Sequence, residues 1–143
     1  MKLKSMFLAG LIIGIVVLIA LKTLGTVNTN QKYASSPSQA TAIEQAKQHG
    51  QPAWLLFHST TCKSCIAMEQ IYEALKPEFA GKVAFINIDV NDPNIKQLLE
   101  QYKITSIPAT YFQNAKGKII WQNVGVIPIE QMRSKLKTLA AGK

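Results

Sequence analysis

Residues 53–65 read Ala53-Trp54-Leu55-Leu56-Phe57-His58-Ser59-Thr60-Thr61-Cys62-Lys63-Ser64-Cys65. Five apolar residues in succession predict a strand covered on both faces, because a half-exposed strand would alternate. The polar run His58-Ser59-Thr60-Thr61 ends it. Beyond Cys62, the apolar Met68, Ile71, Tyr72 and Leu75 fall at i, i+3, i+4 and i+7 and predict a helix closing near Lys76 and Pro77. A buried strand, a polar turn and a helix that opens on Cys-x-x-Cys say more than the four-residue pattern alone.

Helix starts carry unpaired N–H groups and the positive end of the macrodipole, which favour a thiolate at the first cysteine. Lys63 adds positive charge beside it. Cys65, three residues on, lies on the same side of the first turn, within reach of a disulfide after a modest rotation. Cys62 is therefore expected to attack and Cys65 to resolve. These are the only two cysteines of the chain, so a disulfide-stapled secreted scaffold is excluded.

Working outward, residues 40–49 predict a helix with Ile43 and Ala46 on one face and Gly50 as its stop before Pro52. Residues 83–89 predict a second strand. Asp92 and Pro93 open a helix whose inward face is Ile95, Leu98, Leu99 and Tyr102. Residues 109–112 and 119–121 flank Asn114-Ala115-Lys116-Gly117 as a hairpin, and Ile129, Met132, Leu136 and Leu139 define a last helix. The order α-β-α-β-α-β-β-α predicts an α/β domain, a mixed sheet of about four strands with helices on both faces.

The chain of 143 residues holds one ordinary domain, and 48% apolar content excludes a disordered or collagen-like class. The net charge of +8 includes four lysines of residues 1–32, which carry no acid, so the remainder has a surplus of only four. No basic cluster interleaved with aromatics occurs, and nucleic acid is not an expected partner. Residues 7–27 are largely apolar, carry Lys22 as their single charge and would span ~31 Å as a helix, one hydrocarbon core. Residues 1–27 are therefore expected to form a single N-terminal transmembrane anchor, with a cleaved signal sequence as the rival. Lys2 and Lys4 favour a cytoplasmic N-terminus and a domain on the outer face. Residues 28–41 are a polar linker containing Pro37, followed by the domain at 42–143.

The segment 54–65, the strand Phe85-Ile86-Asn87-Ile88-Asp89, the tripeptide Ser106-Ile107-Pro108 and the glycines Gly117 and Gly125 together resemble the thioredoxin family. The resemblance covers roughly residues 40–140. It implies the thioredoxin fold, a cis peptide before Pro108 facing the dithiol, and an Ile107 backbone that pairs with substrate as an added strand. It also has departures. Thr61 stands where members of the family carry an aromatic, Lys63-Ser64 fills the motif, Leu56 replaces the buried acid six residues before the first cysteine, and Gln70 replaces the helix-kinking proline.

The expected function is a membrane-tethered thiol-disulfide oxidoreductase of the extracytoplasmic face. It would need no cofactor beyond a redox-active Cys62–Cys65 disulfide, and would act as a monomer on substrate proteins. Ile107 before the proline and the lack of a histidine in the motif favour reduction of disulfides, which requires a membrane thiol-electron carrier as partner. The alternative is a copper- or zinc-handling module using Cys62, Cys65 and His58 without redox turnover. Structural zinc needs four ligands, and His49 and His58 sit at no common spacing with the cysteines, so no resident metal is expected. His58 reads either as a packed histidine or as one tuning Cys62, and Glu69 either as a network charge or as a group serving Cys65 from the next turn.

Overall fold

In a computed structural model, residues 38–142 are described. The proposed anchor and most of the polar linker lie outside them. Among the described residues no helix is long and apolar enough to cross a membrane.

The sequence folds into α1 (Gln39–Gln48), β1 (Ala53–His58), α2 (Lys63–Leu75), β2 (Ala84–Asp89), α3 (Lys96–Gln101), β3 (Ala109–Gln113), β4 (Ile119–Val124) and α4 (Ile129–Ala140). Helix α1 begins one residue earlier than its periodicity suggests, because the Ser38 side chain accepts the Thr41 N–H at 3.3 Å and caps it. Residues 39–41, polar by composition, are thus its first turn.

All six residues of β1 are buried, as a continuous apolar run requires. It lies inside a four-stranded sheet of order β2-β1-β3-β4, parallel to β2 and antiparallel to β3. The expected mixed sheet with helices on both faces is the one observed. Alternation along β1 feeds two cores. Leu55 and Phe57 pack with Ile86, Ile88, Tyr102 and Tyr111 on the α1 and α3 side. Trp54 and Leu56 pack with Met68, Tyr72, Phe112 and Met132 under α2 and α4. Each such fully buried side chain contributes ~1.5–3 kcal/mol of transfer free energy, which is why the central strand fixes the register of its neighbours.

Two expectations need correction. The helix placed from Asp92 onward is split into a 3-10 turn, Pro93–Ile95, and a short α3. The Asp92 carboxylate takes the Asn94 N–H at 2.9 Å, a local bond that closes the tighter turn first, and Leu99 is only half-buried. Strand β4 runs three residues past Trp121, to Val124, and alternates between exposed and half-buried positions, so no apolar run marks its length. The hairpin before it holds as expected. The Asn114 side chain accepts the N–H of Lys116 and of Lys118, both at 3.0 Å, and Gly117 takes a positive φ of 77°. A Cβ at Gly117 would sit 2.9 Å from the stem of Lys47, a flexible exposed side chain that can move aside, so it is the positive φ that calls for glycine there.

Candidate active site

Strand β1 delivers the chain to one end of the sheet, where His58, Ser59, Thr60 and Thr61 turn it into α2. The turn is held by the Cys62 N–H on the Ser59 carbonyl, 3.3 Å, and by the Asn91 side chain on Ser59 Oγ, 2.9 Å. Cys62 is the N-cap of α2. Its extended backbone (φ −95°, ψ 116°) aims the sulfur back across the first turn, where it accepts the Cys65 N–H at 3.3 Å. Ser64 Oγ lies 3.2 Å from the same sulfur.

The two thiols, both free, sit in opposite surroundings. Cys62 is half-exposed, and hydrogen bonds from the Cys65 side chain and then from Ser64 hold its thiol below the ordinary range. Cys65 is fully buried, and loss of hydration, reinforced by its bond to Cys62, pushes its thiol up to about 11. One sulfur is thereby poised to ionise and the other to keep its proton. Lys63 is exposed, and what lowers Cys62 is hydrogen bonding from the first turn. Ser64, which sequence reasoning passed over as filler, supplies part of it. A hydroxyl inside a Cys-x-x-Cys motif at a helix start is the signal that finds it.

The Ile107–Pro108 peptide is cis. Ala109 pairs with Phe57, so Pro108 lies at the same end of the sheet as the dithiol turn, and the Pro108 carbonyl accepts the Gly125 N–H at 2.8 Å. Ile107 is half-buried beside a groove shared with Val90, Leu99 and Ile104. Ile66, Val124 and Val126 are exposed apolar side chains on the elements that meet here.

His58 and Glu69 come together, although eleven residues apart. His58 is 5% exposed and its Nδ1 lies 4.0 Å from Glu69 Oε2. Glu69 Oε1 accepts the Asn87 side chain at 3.0 Å. Asn87 was not foreseen, yet period-two counting along β2 places it on the face of Phe85, beside Leu56 in register. Among the described residues no three His, Cys, Asp or Glu side chains converge as metal ligands.

A thioredoxin-like domain model matches residues 39–140. The chain is 29% identical over 107 residues to the thiol:disulfide interchange protein TxlA of Synechococcus elongatus, covering 74% of this chain and 56% of that protein. It is 24% identical over 106 residues to the chloroplastic thioredoxin-like protein HCF164 of Arabidopsis thaliana, covering 74% and 41%. Thioredoxin C-2 of Corynebacterium nephridii is 33% identical over 85 residues, 59% of this chain and 72% of that one. The chain thus spans about half the length of the first two relatives. With the dithiol at the start of α2, the cis-proline ahead of β3 and a family match over residues 39–140, the chain belongs to the thioredoxin-like family.

Proposed function

We propose that the protein is a thiol-disulfide oxidoreductase that reduces disulfides of substrate proteins. The observation that carries this reading is the contrast between the two sulfurs, one half-exposed and held low, the other buried and held high. The Cys62 thiolate attacks a substrate disulfide, forming a Cys62–substrate bond and expelling the other substrate sulfur as a thiolate. Cys65 then gives up its proton and attacks Cys62, closing the Cys62–Cys65 disulfide and releasing the second substrate sulfur. Two electrons pass to the substrate, and no further cofactor takes part.

Ile107 and Pro108 receive the substrate backbone beside the dithiol, and Ile66, Val124 and Val126 offer it an apolar surface. The relatives named for thiol:disulfide interchange support this chemistry. The anchor of residues 1–27 holds the domain on the extracytoplasmic face, where a membrane thiol-electron carrier re-reduces it. The domain works as a monomer.

The test is insulin reduction by dithiothreitol with catalytic amounts of the protein, alongside trapping. Cys65→Ser accumulates mixed disulfides with partner proteins and Cys62→Ser accumulates none. No acceleration of insulin reduction, or trapping by Cys62→Ser instead, overturns the reading. A reporter fused after Lys143 that is active only outside the cytoplasm checks the orientation.

A further inference from the structure

Leu56, fully buried under the dithiol helix with Met68 and Tyr72, offers no polar atom, so the proton of the buried Cys65 needs another acceptor. His58 ends the same strand on the same face, 5% exposed, and its Nδ1 makes no hydrogen bond. That nitrogen is aimed at Glu69 Oε2, 4.0 Å away. With the neutral ring's proton on Nε2, the Nδ1 lone pair faces a carboxylate oxygen and is repelled, whereas a second proton, on Nδ1, makes the ring cationic and turns the same approach into an ion pair. Glu69 is one helical turn beyond Cys65, and its charge acts on the Cys65 thiol. The Asn87 amide fixes the other carboxylate oxygen, and the Glu69 side chain is 35% exposed, which opens the pair to water on its far side.

Resting on the oxidoreductase reading above, we propose that His58 and Glu69 act as one proton-accepting pair for Cys65 during resolution of the mixed disulfide. The Cys65 S–H bond breaks and its proton passes to the Glu69 carboxylate and on to His58 Nδ1. The Cys65 electron pair forms the bond to Cys62, and the Cys62–substrate bond breaks with its pair leaving on the substrate sulfur. The imidazolium then returns the proton to water through Glu69. Imidazole suits this role because it can take a proton on one nitrogen while holding one on the other.

The other ionisable groups facing the pair are Cys65 and Tyr72 of α2 and Asp89 of β2. Burial pushes the Tyr72 phenol far up, and Asp89, opposite His58 in register, is engaged by the Asn91 N–H at 3.0 Å. Thr110 of β3 and Met132 of α4 bring no charge. Among the described residues, no lysine or arginine pairs with Glu69.

The experiment is stopped-flow reaction of the reduced full-length protein with excess 5,5′-dithiobis(2-nitrobenzoate). The first release of thionitrobenzoate reports attack by Cys62, and the second reports resolution by Cys65. At pH 7, Glu69→Gln and His58→Gln each slow the second phase by about tenfold or more and leave the first within about twofold. The double variant is no slower than the slower single one, and the deficit closes as pH rises and Cys65 ionises unaided. A residue that only supports the fold would slow the reaction equally at every pH. Glu69, being partly exposed, decides the matter should His58→Gln fail to fold. An unchanged second phase in Glu69→Gln, a pH-independent deficit, or losses that add in the double variant overturn the pair while leaving the oxidoreductase reading intact. A wild-type protein with no second phase overturns both.

Discussion

The two faces of the sheet treat their buried polar atoms in opposite ways. On the α1 and α3 side, the Gln113 amide donates to the Tyr102 hydroxyl at 2.6 Å and the Tyr111 hydroxyl donates to the Tyr102 carbonyl at 2.9 Å. Phe57, Tyr102 and Tyr111 interlock with ring centroids 5.3–5.6 Å apart. On the α2 and α4 side, Trp54 Nε1, His58 Nδ1, Asn87 Oδ1 and Thr110 Oγ1 are buried without a hydrogen bond. A buried polar atom that finds neither a protein nor a water partner costs about 1–3 kcal/mol. These four lie on the face that carries the dithiol. One face is finished as a support, and the other keeps polar capacity in reserve beneath reacting sulfurs.

The largest contrast is within the dithiol itself. Cys65, held at about 11, carries roughly a hundredfold less thiolate at pH 8 than an ordinary thiol, while Cys62, held low, carries more. Iodoacetamide at pH 8, followed by peptide mapping, is expected to label Cys62 at least about a hundredfold faster than Cys65. Raising the pH toward 11 narrows the gap from the Cys65 side. Comparable rates at pH 8 would remove the asymmetry.

Leu56→Asp sharpens the comparison by adding a charge to the reactive face. Leu56 is fully buried between Asn87 and Thr110 in register. The carboxylate is expected to lower stability by ~1–3 kcal/mol at neutral pH by urea midpoint, and to speed the second thionitrobenzoate phase. Desolvation raises the pKa of such an acid, so its protonated form is the better tolerated one. The stability loss should therefore shrink as the pH is lowered.

Tyr102→Phe breaks the supporting face instead. It strips the Gln113 amide of its acceptor and should cost ~1–2 kcal/mol while leaving Cys62 alkylation unchanged. The smallest effect belongs to Thr110→Val, which removes an unpaired hydroxyl at nearly constant shape. It should raise stability by up to about 1 kcal/mol, and a loss would mean that the hydroxyl is paired after all.

Much of this was legible in the sequence. The run through Phe57 and the helix period after Cys62 gave strand, turn and dithiol, because both depend on neighbours in the chain. Pro108 came through family resemblance alone, since nothing local marks a cis bond. What could not be read is what meets across the sheet. Glu69 and Asn87 are eighteen residues apart, and only the parallel pairing of β1 with β2 brings Asn87 beside Leu56 and beneath α2. The full extent of β4 was hidden because an exposed edge strand needs no apolar run.

Strand β1 is bonded on both sides and has no exposed residue. Amides so placed exchange with solvent only when the whole domain opens, so Leu55 and Phe57 should define the slowest-exchanging class in native-state hydrogen exchange. Four residues after that strand comes a cysteine that must meet a foreign chain. The protein thus hangs its reacting sulfurs from its slowest-opening element. Repeated cycles of bond exchange at Cys62 and Cys65 can then run while the frame that aims them stays closed.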